Sequence, residues 1–269
     1  MSGRVEGKVA FITGAARGQG RSHAVRLAEE GCDSFAVDIL EDYPTVRYAM
    51  SSRAELSETV RAVEALDRRI VAAKADVRDA ATLRAALDAG VAELGRLDIV
   101  CANAGIYTVQ SWDQVTPQVW QDTIDTNLTG VWNTMDVAVP HLIAAGGGSI
   151  IATSSTAGLK GMPFLAPYVA AKHAVVGICR SLANELASHH IRVNTVHPAG
   201  VDTPMVAGLE TLEPFLSRSP ELGAIFTNGL PVEALDPRDV SNAVLWLASE
   251  EARYVTGAAL TVDAGNTIR

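Results

Sequence analysis

Cysteine and histidine are scarce in this sequence, and the few that occur are badly spaced for a disulfide framework or a metal site. The three cysteines are Cys32, Cys101 and Cys179. Their number is odd and no Cys-x-x-Cys pair occurs, so we expect all three to be reduced and buried. The six histidines show neither His-Glu-x-x-His nor mixed Cys/His ligand spacing, so no metal site is expected.

Clusters of basic residues and long apolar runs are also absent. The chain has 22 Lys and Arg against 31 Asp and Glu, a net charge of −9, and no basic cluster that would attract nucleic acid or anionic lipid. No stretch approaches the roughly 20 apolar residues that span a bilayer. Residues 1–7 are polar and lack the pattern of a secretory signal. We therefore expect a cytoplasmic protein that binds neither nucleic acid nor membrane.

Apolar residues make up 48% of the 269 positions and charged residues 20%, as in an ordinary globular protein. Short apolar runs alternate with longer stretches of helical period, which is the pattern of repeated βαβ units. The sequence predicts one α/β domain over residues 1–269, with a Rossmann-type, doubly wound, parallel sheet of seven strands and helices on both faces.

The predicted strands are 8–13, 33–38, 70–75, 97–102, 148–153, 191–197 and 258–262, and the helices lie near 19–31, 53–67, 79–94, 117–145, 167–188 and 237–248. Two connections are unusually long: residues 39–69, between the second and third strands, and residues 203–235, after the sixth. Because long insertions at strand ends tend to be functional, we treat the first as a specific insertion and the second as a candidate substrate lid.

A glycine-rich turn follows the first predicted strand. Gly14 can supply the tight turn, Gly18 can let the backbone approach a pyrophosphate, and Gly20 can let helix and strand pack closely. Asp38 closes the second strand, where a carboxylate can accept both hydroxyls of a ribose and would repel a 2′-phosphate. These residues predict NAD rather than NADP, with Arg17 facing either the pyrophosphate or solvent.

A tyrosine and a lysine occur four residues apart on one predicted helix. Tyr168 and Lys172 share a face, and a cationic amine there favours the phenolate, as does the positive ring of NAD. The pair could remove the proton of an alcohol while its carbon gives up a hydride. Ser155, thirteen residues before Tyr168, is predicted to end the fifth strand and to hydrogen-bond the substrate oxygen; its neighbour Ser154 is the competing candidate.

These motifs together resemble the short-chain dehydrogenase/reductase family over roughly residues 6–265. The motifs are the glycine turn, Asn103-Ala104-Gly105, Asn127, Ser155 and Tyr168-x-x-x-Lys172. The resemblance implies that Asn127, Ser155, Tyr168 and Lys172 are catalytic, with Asn127 binding a water in a proton relay. It implies a cofactor site formed by Gly14, Arg17, Gly18, Gln19, Gly20, Asp38, Asp76, Val77, Asn103, Ala104, Gly105, Tyr168, Lys172, Val201 and Thr203. Ala199 departs from the family, which usually has glycine there.

The insertion and several local runs resemble a narrower group, the carveol dehydrogenase-type, mycofactocin-associated subgroup of actinobacteria. The resemblance implies NAD held so tightly that it does not exchange, with electrons passed to a separate redox partner. We expect residues 39–52 to fold over the adenine end of NAD. The alternative is that the insertion is a peripheral addition without a role in holding the cofactor. The family also implies a homotetramer through the helices at 117–145 and 167–188. The apolar stripe of the second helix fits either a core face or an interface.

The substrate is expected to be an apolar secondary alcohol or its ketone, and a cyclic terpene alcohol fits better than a charged sugar. Met162 and Phe164, and apolar lid residues from Pro204 to Leu216, would line the pocket, although the same spacing is compatible with simple packing of the lid. Two other functions remain open, an NADPH-linked oxoacyl reductase and a non-catalytic nucleotide-sensing protein on the same scaffold.

Overall fold

A computed structural model describes residues 3–269, apart from the side chains of Ala207, Leu209 and Glu210, so Met1 and Ser2 of the polar start lie outside the described residues. Seven parallel strands form one sheet in the order β3-β2-β1-β4-β5-β6-β7. The strands are β1 Val9–Thr13, β2 Asp33–Asp38, β3 Ile70–Lys74, β4 Ile99–Ala102, β5 Gly148–Thr153, β6 Ile191–Pro198 and β7 Ala259–Val262. The winding reverses between β1 and β4, where ligands of such sheets bind. The predicted fold class is confirmed.

Helices cover both faces of the sheet. They are α1 Gly18–Ala28, α2 Arg53–Glu64, α3 Ala80–Leu94, α4 Pro117–Ile124, α5 Gly130–Ala144, α6 Ala166–Glu185, α7 Glu213–Leu216 and α8 Pro237–Ala248. One buried apolar cluster joins the sheet to α3, α5 and α6, for example through Leu87 and Met135. A second joins the opposite face to α1, α2 and α8, for example through Leu27 and Val244. The central strands are therefore apolar on both faces, as a covered parallel sheet requires.

Local signals account for several helix starts. Ser52 and Glu55 form a complete capping box before α2. Thr116 caps α4 and Asp236 caps α8, each followed by a proline in the first turn, where the missing N–H has no intrahelical partner.

The predicted helix over 117–145 is wrong as a single element. A π-helical turn over Asp125–Thr129 separates α4 from α5, and Asn127 lies within it. A π-turn inserts one residue without changing the apolar character of either flank, so periodicity does not reveal it. The prediction that Ser155 ends the fifth strand is also wrong, since β5 ends at Thr153 and Ser155 caps the short 3₁₀ turn that follows.

The two long connections fold against the carboxyl edge of the sheet. Residues 39–52, which we call the strap, form a loop before α2. The region after β6 consists of a 3₁₀ segment Pro204–Leu212, then α7, then a second 3₁₀ segment Pro220–Phe226. Among the described helices, none combines the length and apolar character needed to cross a membrane.

Candidate active site

The glycine turn after β1 packs too closely for side chains. Gly14 has φ +66°, and a Cβ there would lie 2.9 Å from the Cα of Ala104. A Cβ on Gly20 would lie 2.0 Å from the carbonyl oxygen of Gly14, so α1 can begin close beside the turn only because glycine stands there. The N-terminus of α1 is thereby brought to the edge of the sheet, where its free N–H groups favour an anion.

Asp38 is buried at the end of β2, and its two carboxylate oxygens hold separate parts of the chain. Oδ2 accepts a hydrogen bond from the backbone N–H of Ala16 at 2.9 Å, within the glycine turn. Oδ1 accepts from the hydroxyl of Ser51, a residue of the strap. The carboxylate is thus fixed beside the turn, and the strap reaches the same point.

A first cavity opens at this place, and most of the predicted cofactor residues line it. Its wall includes Gly14, Arg17, Gly18, Gln19, Asp38, Asp76, Val77, Asn103, Ala104, Gly105 and Thr203. Gly20 serves the close packing described above, and Val201, Tyr168 and Lys172 line a second, adjoining cavity. The two spaces meet, because five residues line both of them: Gln19, Asn103, Gly105, Thr203 and Met205.

Arg17 is bound by neighbouring residues rather than turned freely to solvent. Its guanidinium forms an ion pair with Glu55 of α2 at 3.5 Å and donates to the carbonyl of Ala49 in the strap. The side chain lines the first cavity while it ties α1, α2 and the strap together.

Of the two predicted asparagines, Asn103 lines both cavities, whereas Asn127 lies behind Gly105 and lines neither. The Asn103 side chain donates to the carbonyl of Thr13 at 3.1 Å and so joins the ends of β4 and β1. The buried Asn127 side chain donates to the carbonyl of Ile106 at 2.7 Å and accepts from its N–H at 2.9 Å. Both ends of the Asn127 amide therefore hold the backbone beside Gly105, and its relay role remains a prediction.

Ser155, Tyr168 and Lys172 line the second cavity together. The Lys172 ammonium nitrogen lies 5.5 Å from the centre of the Tyr168 ring and donates to the carbonyl of Thr153 at 2.7 Å. The Ser155 hydroxyl accepts from the N–H of Ala157 at 3.1 Å, which fixes its orientation at the start of the 3₁₀ turn.

Burial acts on the tyrosine and the lysine in opposite directions. It raises the pKa of the Tyr168 phenol to about 12, an effect that the hydroxyl of Ser155 partly offsets. Burial lowers the pKa of the Lys172 amine to about 8, so the amine is still protonated at pH 7. The protein alone therefore holds a neutral phenol beside an ammonium, and a further positive charge is needed to stabilise the phenolate.

The neighbours of Ser155 distinguish it from Ser154. The Ser154 hydroxyl donates to the carbonyl of Lys172 at 3.0 Å, which fastens the segment directly after β5 to α6. His197, buried at the end of β6, contacts the carbonyl oxygen of Ser155 at 2.8 Å and the hydroxyl of Thr195 at 2.7 Å. The Ser154 hydroxyl is therefore engaged within the fold, whereas the Ser155 hydroxyl bonds with Tyr168 and the Ser155 carbonyl is bound by His197.

Hydrogen bonds fasten the strap across the first cavity. The Tyr43 hydroxyl bonds with that of Thr126 at 3.0 Å, and Thr45 donates to Asp122 at 2.6 Å. The Tyr48 hydroxyl accepts from the backbone N–H of Tyr107 at 3.2 Å. Tyr43, Tyr48, Met50 and Ser51 line the cavity.

Sequence reasoning predicted Tyr168 but missed three other tyrosines of this site, Tyr43, Tyr48 and Tyr107. Aromatic residues are 5% of the chain, and four of its five tyrosines line the two cavities. Two of them, Tyr43 and Tyr48, lie in the insertion.

The region after β6 covers the second cavity. Met205 and Val206 line it from the first 3₁₀ segment, and Phe226 from the second. Phe215 instead stacks on Phe164, with ring centroids 4.7 Å apart. The apolar residues thus divide between a cavity wall and packing of the region on its own domain, which were the two readings of the sequence.

Other titratable groups have structural surroundings. The three cysteines are free and buried, as predicted. Asp263 accepts from the N–H groups of Gly265 and Thr267 at 3.0 and 2.8 Å, which holds the C-terminal turn. Within residues 3–269, no three His, Cys, Asp or Glu side chains gather in an arrangement suited to a metal ion.

Comparison with known proteins agrees with this architecture. The profile of the short-chain dehydrogenase family matches residues 8–213. The chain is 51% identical to (-)-trans-carveol dehydrogenase of Rhodococcus erythropolis, over 99% of each chain.

Two solved structures are similar over 99% of this chain and the whole of theirs. One is a short-chain dehydrogenase of Mycobacterium paratuberculosis bound to NAD, with 51% identity and a TM-score of 0.97. The other is carveol dehydrogenase of Mycobacterium avium in complex with NAD, with 50% identity and a TM-score of 0.94. The family match, the near-complete coverage and the shared sheet lead to one conclusion: this chain belongs to the short-chain dehydrogenase family of oxidoreductases.

Proposed function

We propose that the protein is an NAD-dependent dehydrogenase that interconverts an apolar secondary alcohol and its ketone, with Tyr168 as the general base. One observation carries the proposal. The cavity that holds Ser155, Tyr168 and Lys172 shares its wall with the cavity formed by the glycine turn and Asp38. A dinucleotide lying along the first cavity would present its reactive end to the second.

The residues of the first cavity fit NAD. The glycine turn and the N-terminus of α1 suit a pyrophosphate. Asp38 suits a ribose with free hydroxyls, because a buried carboxylate would repel the 2′-phosphate of NADP. Gln19 lines both cavities, and its Oε1 atom is buried without a hydrogen-bond partner in the described chain. The NAD bound in two similar structures supports the same choice.

The chain's own groups would divide the work of alcohol oxidation. Bound NAD would supply the acceptor for the hydride that leaves the carbinol carbon. Ser155 would donate a hydrogen bond to the substrate oxygen, and Tyr168 would take the hydroxyl proton. Lys172 would keep its positive charge near the phenolate, with Asn127 holding the backbone beside it. His197 would hold the carbonyl of Ser155 in place.

The second cavity suits an apolar substrate. Met162, Leu165 and Phe226 contribute to its wall, and the region after β6 would act as a lid. A cyclic terpene alcohol is the substrate class that we favour, and the carveol dehydrogenases among the similar proteins support it.

The strap supports slow exchange of NAD. Its hydrogen bonds to Thr126, Asp122 and the Tyr107 backbone hold it over the first cavity. We infer that NAD stays bound through many turnovers and is reoxidised by an external redox partner, for which mycofactocin is the candidate that the sequence resemblance suggests. We also propose a homotetramer.

Two measurements test this function. Protein purified without added nucleotide should release NAD on denaturation, identified by mass. The same preparation should oxidise hydrophobic secondary alcohols in the presence of an artificial electron acceptor. A preparation that carries NADP, or that oxidises no alcohol of the panel with either cofactor, would contradict the proposal. Bound NADP would favour an NADPH-linked reductase. Failure to oxidise any alcohol would favour a nucleotide-sensing protein.

A further inference from the structure

Asp38 is a buried carboxylate without a basic partner. The residue is 7% exposed, and within residues 3–269 no Lys, Arg or His side chain forms an ion pair with it. Two donors of the described chain reach its carboxylate, the Ala16 N–H at 2.9 Å and the Ser51 hydroxyl. Hydrogen bonds to a buried charge are among the stronger ones in proteins, so each donor should matter to this carboxylate.

The two donors bind different oxygens and belong to different segments. Ala16, in the glycine turn, donates to Oδ2, whereas Ser51, in the strap, donates to Oδ1. A carboxylate bound at one oxygen can rotate, but one bound at both has a fixed plane. Each oxygen can accept a further hydrogen bond, and Asp38 lines the first cavity. The Ser51 hydroxyl therefore helps to set the direction in which the free acceptor sites point.

The residues on either side of Ser51 are held by hydrogen bonds of their own. The carbonyl of Ala49 accepts from Arg17, and the N–H of Met50 donates to a carboxylate of the strap at 2.9 Å. Ser52 belongs to the capping box of α2. The strap is thus anchored next to Ser51 without the Ser51 hydroxyl, and the bond from that hydroxyl acts mainly on Asp38.

We propose that Ser51 is a positioning residue for cofactor selection, through which the insertion takes part in excluding NADP. Its hydroxyl holds the Asp38 carboxylate toward the ribose of the bound dinucleotide. Held in this way, the carboxylate accepts from free ribose hydroxyls and cannot turn away from a 2′-phosphate, so the repulsion between the two negative charges persists. Without the Ser51 hydroxyl the carboxylate can rotate, which weakens the first effect and relieves the second. The inference rests on the NAD preference of the proposed function, whichever alcohol is oxidised.

A competition between the two nucleotides tests this role. Purified wild type and Ser51→Ala are incubated with NAD and NADP in known ratios until the bound composition is constant, and the bound nucleotides are then identified by mass after denaturation. The preference for NAD over NADP should be about 10-fold weaker in Ser51→Ala, the change expected for one lost hydrogen bond to a charged group. Ser51→Thr keeps the hydroxyl and should retain the wild-type preference. Ser57→Ala removes a hydroxyl from the exposed side of α2 and should do the same.

A double-mutant cycle distinguishes positioning of Asp38 from a structural role of Ser51. In an Asp38→Ala background the Ser51 hydroxyl has no carboxylate to hold, so Ser51→Ala should leave the nucleotide preference nearly unchanged there. A direct contact of Ser51 with the nucleotide, or a general loosening of the strap, would act in both backgrounds. An equal effect of Ser51→Ala with and without Asp38 would therefore overturn the inference.

The outcomes separate this inference from the proposed function. A wild type that prefers NADP would contradict the proposed NAD dependence. A wild type that prefers NAD, with the same preference in Ser51→Ala, would overturn the role of Ser51 alone, as would a Ser51→Thr variant that behaves like Ser51→Ala. If Ser51→Ala folds poorly, Ser51→Cys replaces it, because a thiol keeps the volume of the side chain but is a weak donor; its preference for NAD should also be weakened.

Discussion

Tyr168 and Lys172 occupy a site in which burial opposes the charge that each would need for catalysis. The phenol has a pKa raised to about 12 and the amine one lowered to about 8. At pH 7 the ammonium survives, whereas the phenolate does not form in the protein alone. A proton can leave Tyr168 near neutral pH only when positive charge from both Lys172 and an oxidised nicotinamide lies close to it.

Replacing Lys172 should therefore shift the pH dependence of alcohol oxidation. In Lys172→Met the phenolate loses its nearest cation, so the pKa that controls the rise of kcat with pH should move upward by about one unit or more. The rate at pH 7 should fall by about 10-fold. The pH profile of kcat for NAD-loaded protein measures both effects. Lys172→Arg, which keeps a cation, is the control and should shift less; an unshifted profile in Lys172→Met would remove the lysine from the mechanism.

At the scale of elements, the strap ties the first cavity to α4, to the π-turn after it and to the loop after β4. Its side chains reach Thr126 and Asp122, and Tyr48 contacts the backbone of Tyr107, which lies under the lid. The strap is therefore positioned to resist opening of the first cavity, and its contacts are individually removable.

The double variant Tyr43→Phe, Thr45→Val should release NAD faster. Each change removes one hydrogen bond and preserves the shape of the side chain, so together they should raise the dissociation rate about 10-fold. Exchange of bound NAD for labelled NAD measures the rate. Ser57→Ala on the exposed side of α2 removes a hydroxyl outside the strap and should leave the rate unchanged. Dissociation as slow as in the wild type would show that the strap is a peripheral decoration.

The contact between α1 and α8 contains a buried histidine that should make stability depend on pH. His23 is fully buried, its Nδ1 contacts the Ser241 hydroxyl at 2.8 Å, and burial lowers its pKa to about 4. Between pH 6.5 and 4 the unfolded chain binds a proton that the native protein does not bind. The free energy of unfolding should therefore fall as the pH falls through this window, by up to about 3 kcal/mol.

Urea unfolding at a series of pH values tests this effect. His23→Gln lacks the titrating ring, so its free energy of unfolding should fall less steeply between pH 6.5 and 4, whatever its stability at pH 7. His173→Gln changes an exposed histidine and should keep the wild-type slope. Equal slopes in all three proteins would contradict the assignment of the acid sensitivity to His23.

Element positions were largely predictable, because each strand of a covered parallel sheet is a short apolar run between polar caps. β2 and β5 were predicted to the residue. The π-turn at Asn127 was not predictable, since it adds a residue without an apolar signature. The ends of α3 and α8 were predicted correctly, whereas those of α1, α2 and α6 were predicted three residues too late. In α1 the periodicity runs on past Ala28 although the chain turns at Gly31, where φ is +89°.

At the scale of the whole molecule, the sheet order brings separate segments of sequence to one edge. The ends of β1, β4, β5 and β6 meet there, so Gly14, Asn103, Ser155 and Val201 become neighbours of two joined cavities. Motif spacing predicted most of these residues. The enclosing tyrosines could not be predicted, because their positions depend on how the strap crosses the first cavity, which no local pattern encodes.

The central claim is that Tyr168 removes the alcohol proton beside a bound nicotinamide, and a single-turnover experiment tests it most directly. NAD-loaded protein is mixed with a secondary alcohol that the wild type oxidises, and the absorbance of reduced nicotinamide is followed. The wild type should reduce its bound NAD in one turnover, whereas Tyr168→Phe, with the same NAD content, should do so roughly 10² to 10⁴ times more slowly. Reduction at the wild-type rate in that variant would contradict the account.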